Sequence, residues 1–227
     1  LTVAAAASLK NVMEEELIPL FVSENQTITI AGTYDSSGKL QAQIEGGLEA
    51  DLFMSAATKQ MNALVEEDYI TQQDVTELLV NKIVLIVPKY SAYGLQTYED
   101  IVKVSTVVLG DPESVPAGQY AKESLTNLGL WESLPQTSFA TNVTEVLNQV
   151  AQGSADAGIV YATDAASMKD DVVVISEAPE GCLEKEVIYP AGVLKNTKYP
   201  QQAEAFMKFL HSDEARVIFE KYGFTVK

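Results

Sequence analysis

The stretch "GTYDSSGKL", Gly32 to Leu40, packs two glycines, two serines, a lysine and a carboxylate into nine residues. It follows an alternating apolar stretch and precedes a helical run, the usual place of a phosphate-binding loop. Such a loop needs Gly, four residues, then Gly-Lys-Ser/Thr, so that consecutive amides wrap the phosphates and a hydroxyl meets magnesium. Here five residues separate Gly32 from Gly38, and Leu40 stands in the hydroxyl position. Leucine ligates no metal, so the nucleotide reading falls. What survives is a run of small residues, hydroxyls and free amides at a helix start, which suits an anion. The loop also superficially invites a second chemistry, with Ser37 as nucleophile and Asp35 or Lys39 as its helper. Nucleophilic catalysis requires a placed base, and no histidine lies near this loop in sequence.

Other reactive side chains are few. The single histidine, His211, lies in "FLHSDEA" near the end of the final helical region, where a solvated surface residue is expected. The single cysteine, Cys182, stands in "EAPEGCLEKE", whose acids would raise its pKa and suppress a reactive thiolate. No G-x-S-x-G, HExxH or EF-hand pattern occurs. The acids are scattered over helix faces, as on a solvated surface.

The elements that must position these groups alternate. "LTVAAA" reads as a buried strand, followed by Leu9, Val12, Met13, Leu17, Leu20 and Phe21 at helical spacing, with Ser8 as N-cap and Pro19 disturbing the last turn. "TITIAG" alternates like a strand, and Leu40, Ile44 and Leu48 mark the helix beginning near Ser36 to Gly38. "ADLFMSA" predicts a third strand, with a helix through Met61, Leu64 and Val65. "LVNKIVLIVPK" (Leu79 to Lys89) reads as one very apolar strand. "VVLGDPESVPAG" leads into a helix carrying Tyr120, Leu125 and Leu128. A helix from about Asn142 to Gly153 precedes the strand "AGIVY", "VVVIS" and "VIYPAGVL" are further strands, and Pro200 to Tyr222 is helical, with Ala203, Phe206, Met207 and Leu210 on one face. This order predicts parallel sheets with helices on both faces, in two α/β lobes of about a hundred residues each.

A polar uncharged residue or a tight turn recurs at helix starts: Ser8, Ser36 with Ser37, "VPAGQYA" and "TNVTEVL". Each start leaves about four backbone N–H groups without an intrahelical partner and carries about half a positive charge. Four such ends converging would hold an anion without Arg or Lys. Capping alone produces the same residue pattern.

Composition narrows the partners. The 227 residues carry a net charge of −17, which argues against nucleic acid or an anionic membrane surface. One cysteine excludes an internal disulfide framework and a cysteine-based metal cluster. No apolar run approaches the roughly 20 residues that span a bilayer. The chain starts on a strand-like stretch without Met or a basic leader, and is expected to be a processed or trimmed form.

Five blocks carry a resemblance: "AAASL" (Ala5 to Leu9), "SSGKLQAQIEGGLEADLFMSA" (Ser36 to Ala56), "GDPESVPAGQYAKESL" (Gly110 to Leu125), "GIVYATDA" (Gly158 to Ala165) and "FEKYGF" (Phe219 to Phe224). In order and at compatible spacing along essentially the whole chain, they resemble the molybdate-binding proteins of ABC uptake systems. The resemblance implies a two-lobed type II periplasmic-binding-protein fold, each lobe a mainly parallel sheet, joined by two crossover strands. Lobe 1 would comprise 1–80 plus 194–227 and lobe 2 81–193, with the ligand cleft between them. It implies a molybdate or tungstate oxyanion held by neutral donors at Ser8, Ser37, Ala117, Val143 and Tyr161. Ser8 would give a hydroxyl and an amide, Ala117 its amide, and Tyr161 its phenol hydroxyl. The metal is reached only through the anion's oxygens, and no cofactor or catalytic residue is implied. Implied partners are the anion and an ABC permease, with no nucleic acid, and a monomeric protein in the periplasm or at the extracellular face of the cell membrane, with or without a lipid anchor in the precursor. Receptors for sulfate, phosphate or another small oxyanion, and a ligand-sensing domain of a regulator, are the alternatives on the same scaffold. Some relatives continue the serine pair with serine and threonine, where this chain has Gly38-Lys39. Asp35 is expected to face solvent, partly neutralised by Lys39, because an inward carboxylate would repel a dianion.

Overall fold

Val3 to Ala6 are buried in strand β1 (Thr2–Ala6), where small side chains let helices pack closely on the sheet. The computed structural model describes all of residues 1–227. The helical run after β1 changes pitch along its length: a 3-10 turn Ala7–Leu9, α1 (Lys10–Val12), a π turn Met13–Leu17 and α2 (Ile18–Glu24). The disturbance expected at Pro19 takes the form of this wide turn just before it, since proline cannot donate to the carbonyl four residues back and its ring crowds that carbonyl. Ser8 is not the N-cap. That position belongs to Ala6, extended at φ −53° and ψ 142° without a side-chain cap, and Ser8 sits inside the first turn.

Strand β2 (Ala31–Asp35) begins later than the alternation in "TITIAG" suggests. Its register with the parallel partner β1 begins at Ala31 opposite Thr2, and before it only Leu1 bonds across, its amino group donating to the Thr29 carbonyl at 2.6 Å. Ser36 caps α3 (Ser37–Glu45), its hydroxyl accepting from the Lys39 amide at 3.4 Å. Next come β3 (Leu52–Met54), α4 (Thr58–Glu66) and β4 (Ile70–Asn81). The apolar run from Leu79 to Lys89 is two strands rather than one. It breaks at Lys82, whose amide donates to the Asn81 side chain at 2.8 Å, and β5 (Ile83–Pro88) follows.

Beyond a 3-10 segment, Tyr98–Lys103, lie β6 (Thr106–Gly110), α5 (Pro116–Asn127), β7 (Gln136–Ala140), α6 (Val143–Ala151), β8 (Ala157–Tyr161), α7 (Ala162–Ser167) and β9 (Val172–Glu177). Pro116 opens α5 at the position where its missing N–H costs nothing. The chain then forms β10 (Val187–Leu194), α8 (Pro200–Leu210), α9 (Asp213–Lys221) and β11 (Thr225–Val226). The helical stretch expected from Pro200 to Tyr222 consists of two helices parted at His211 and Ser212, where the Ser212 hydroxyl accepts from the Ala215 amide at 3.1 Å and starts the second. Ala203, Phe206, Met207 and Leu210 are buried on one face of α8, as their spacing predicts.

Two compact units result: Leu1–Val80 with Ile188–Lys227, and Asn81–Val187. The chain passes between them twice, once out of β4 and once into β10. Residues 188–193 belong with the first unit, not the second lobe, since Ala191, Gly192 and Val193 pair with β3. The first sheet runs β11-β4-β10-β3-β1-β2 and the second β7-β6-β8-β5-β9. Both are mixed rather than mainly parallel. β1 is parallel to β2 and β3, but β10 is antiparallel to β3 and β11 to β4. β6 is parallel to β7 and β8, while β5 is antiparallel to β8 and β9. In the first unit Leu40 and Ile44 of α3 pack with Phe53 of β3 and with Met61 and Leu64 of α4 in one buried cluster.

Candidate anion site

In the first unit the neighbouring parallel strands β2, β1 and β3 end together, with Ala6 opposite Asp35 and Ala5 opposite Met54. Ser8 and Ser37 follow β1 and β2 by two residues each, and Ala56 follows β3 by two. This carboxyl edge of a parallel sheet is where α/β folds place ligands. Ser37 is wholly buried, and its Oγ accepts from the Ala56 amide at 3.0 Å, leaving the hydroxyl proton for another acceptor. Ser37 and Gly38, in the first turn of α3, have amides without intrahelical partners. Ser8 Oγ lies 2.9 Å from the hydroxyl of Tyr189, on β10.

The second unit repeats the arrangement. The neighbouring parallel strands β7, β6 and β8 bring Gly110 opposite Ala140, with Tyr161 at the end of β8. Ala117 is the second residue of α5 and Val143 the first of α6, so each amide is one of the orphan donors of its helix. Asn142 caps α6 by accepting from the Glu145 amide at 3.0 Å, and the Glu145 carboxylate accepts from the Thr141 amide and hydroxyl at 2.8 Å. Tyr161 is buried, and its amide donates to Asp164 at 3.3 Å. Burial pushes the Asp164 carboxyl up to about 7, opposed by that single amide.

Asp35 is half-exposed. Its carboxylate accepts from the Ser36 amide at 2.8 Å and pairs with Lys39 at 3.5 Å, so both charges of the loop are spent on each other. The hydrogen bond reaching Ser37 Oγ comes from an amide, not from a base. Cys182 is buried, and burial raises its thiol pKa first, with a smaller push from Glu123 and Glu99. His211 is exposed and touches Thr76 at 3.1 Å, lining a hollow of about 500 Å³ with Asp74, Glu204 and Lys208. No three His, Cys, Asp or Glu side chains are placed to hold a metal ion, and no helix is long and apolar enough to cross a membrane.

Tyr161 thus ends β8, Ser8, Ser37 and Val143 stand shortly after β1, β2 and β7, and Ala117 stands at the start of the helix that follows β6, with Ser8 and Ser37 in the first unit and the other three in the second. The sequence reading missed Tyr189 and the Ala56 amide, since each pairs with its serine over a long stretch of chain. The bacterial extracellular solute-binding protein family matches residues 1–225. The chain belongs to that family. This solute-binding protein is 42% identical, over 100% of its length and 86% of the relative's, to YvgL of Bacillus subtilis (strain 168), which carries the name of an ABC transporter substrate-binding lipoprotein. It is 36% identical to the molybdate-binding protein ModA of Escherichia coli (strain K12), covering 100% of this chain and 89% of ModA. The structure of the Azotobacter vinelandii periplasmic molybdate-binding protein superposes with a TM-score of 0.86 at 23% identity, over 100% of this chain and 99% of that one.

Proposed function

We propose that this solute-binding protein captures molybdate, and tungstate comparably, and delivers it to an ABC permease. The observation that carries the reading is the shared address of Ser8, Ser37, Ala117, Val143 and Tyr161, each at or just beyond the carboxyl end of a parallel strand or at the start of the helix that follows it. The 36% identity to a molybdate-binding protein over the whole chain supports the choice of anion. For a dehydrated dianion the first unit has two hydroxyls and α3 amides to offer, and the second has the amides of Ala117 and Val143 and the Tyr161 phenol. Hydroxyls and amides are donors without formal charge, so they satisfy the anion's oxygens without the ion pairs that would slow release. Molybdate, tungstate and sulfate are full dianions with only acceptor oxygens, so sulfate would be rejected by size and hydrogen phosphate by its proton.

Isothermal calorimetry with molybdate, tungstate, sulfate and phosphate tests this. Tight binding of the first two and weak or no binding of the others is expected. Binding of sulfate or phosphate with no heat from molybdate would reassign the receptor, and Tyr161→Phe binding molybdate like wild type would remove that residue from the site.

A further inference from the structure

The hydroxyls of Ser8 and Tyr189 are 2.9 Å apart, and either oxygen could be the donor. Tyr189 is 2% exposed and held on β10, its ring edge-on to Phe224 with centroids 5.5 Å apart. A molybdate dianion removes the ambiguity. It carries no proton, and a serine hydroxyl has one proton to give. If Ser8 donates to the anion, the contact with Tyr189 survives only with the phenol donating to Ser8 Oγ. Resting on the anion-receptor reading above, we propose that Tyr189 is a positioning residue of that site, donating its phenol proton to Ser8 Oγ and so aiming the Ser8 hydroxyl at the anion.

Ser37 provides the contrast inside the same unit. Its Oγ accepts from the Ala56 amide, a group that cannot accept in return, so Ser37 presents its proton outward whether or not an anion is present. The Ser8 to Tyr189 bond is reversible in direction, and the anion fixes it. Charge-assisted hydrogen bonds are the stronger ones, and donation into Ser8 Oγ polarises its O–H further.

Molybdate affinity is measured by calorimetry in wild type, Tyr189→Phe, Ser8→Ala and the double variant. Phenylalanine keeps the ring against Phe224. Y189F is expected to weaken molybdate about five- to twentyfold, the worth of one hydrogen bond acting through a second. In the S8A background the same change should alter affinity less than about twofold. An equal loss in both backgrounds, or none in wild type, overturns the role. Tyrosine labelled with 13C at Cζ gives a reading that needs no Tyr189 variant. The Tyr189 resonance, assigned through its contact with Phe224, should move on adding molybdate to wild type and stay in place in S8A. Movement in S8A refutes the relay. A wild-type protein that binds no oxyanion takes down the receptor reading and the relay together, whereas normal wild-type binding with independent losses removes Tyr189 alone.

Discussion

Gly118, in the first turn of α5, lies so close over Gly110 at the end of β6 that a Cβ on Gly118 would stand 2.0 Å from the Gly110 carbonyl oxygen. That obstacle is backbone and cannot rotate aside. The approach seats the start of α5, Ala117 included, on the end of β6, the strand that pairs with both β7 and β8.

Gly118→Ala should therefore push the start of α5 off β6. Overpacking of this kind costs about 1–3 kcal/mol, which urea unfolding should register as a lower midpoint with an unchanged slope. Molybdate binding should weaken as well, because the Ala117 amide moves with the helix. Wild-type stability in this variant would mean that β6 and α5 are not held together as described.

The two serines should separate in stability although both weaken molybdate, each by about 1–3 kcal/mol. Ser37→Ala deletes the hydroxyl that accepts from the buried Ala56 amide. Without anion, S37A should thus lose about 1–3 kcal/mol of unfolding free energy, while S8A should lose less, because Ser8 is half-buried and the proton of its Tyr189 partner can rotate to another acceptor, which a fixed amide cannot. Urea titrations of the anion-free proteins check this, and equal losses would contradict it.

Asp164 gives a pH signature. Its folded pKa of about 7 lies above the ordinary 3.8, so the native state holds a proton that the unfolded chain has released. The protonated carboxyl's contribution to stability is complete below about pH 4, declines as pH rises toward 7, and is gone above it. Asp164→Asn keeps a carbonyl oxygen for the Tyr161 amide and cannot ionise. The difference in unfolding free energy between D164N and wild type should therefore grow from pH 4 to pH 7 and then level off. A difference that does not vary over that range would show that Asp164 titrates normally.

How much of this was legible in the sequence depends on whether the signal is local. The start of α6 was readable because Asn142 caps it, while Val143, Val146, Leu147 and Val150 recur at helical spacing and are all buried. The break at Lys82 was not, because residues on either side are equally apolar and only the Asn81 side chain marks the turn. Ser8 looked like a cap because serine usually caps; the extended backbone of Ala6 does so instead, freeing the Ser8 hydroxyl for Tyr189. Strand direction is a global property. The alternation of strands and helices predicted parallel pairing and missed that β5 and β10, the strands entered as the chain passes between units, run antiparallel to β8 and β3.

Salt discriminates between neutral donors and a cationic clamp. A site that held its anion by Lys or Arg would lose affinity as salt rises. In this chain the one lysine of the serine loop, Lys39, is already paired with Asp35, and the net charge is −17. Raising sodium chloride from about 10 to 100 mM shortens the screening length from about 30 to 10 Å. That chiefly weakens the repulsion between the acidic protein and an incoming dianion. Molybdate affinity should hold steady or rise over this range, and Lys39→Gln should change it less than about threefold, since it removes no donor to the anion and frees Asp35 only at a half-exposed position. A several-fold loss of affinity with salt, together with a large loss in K39Q, would show that Lys39 turns from Asp35 to the anion on binding.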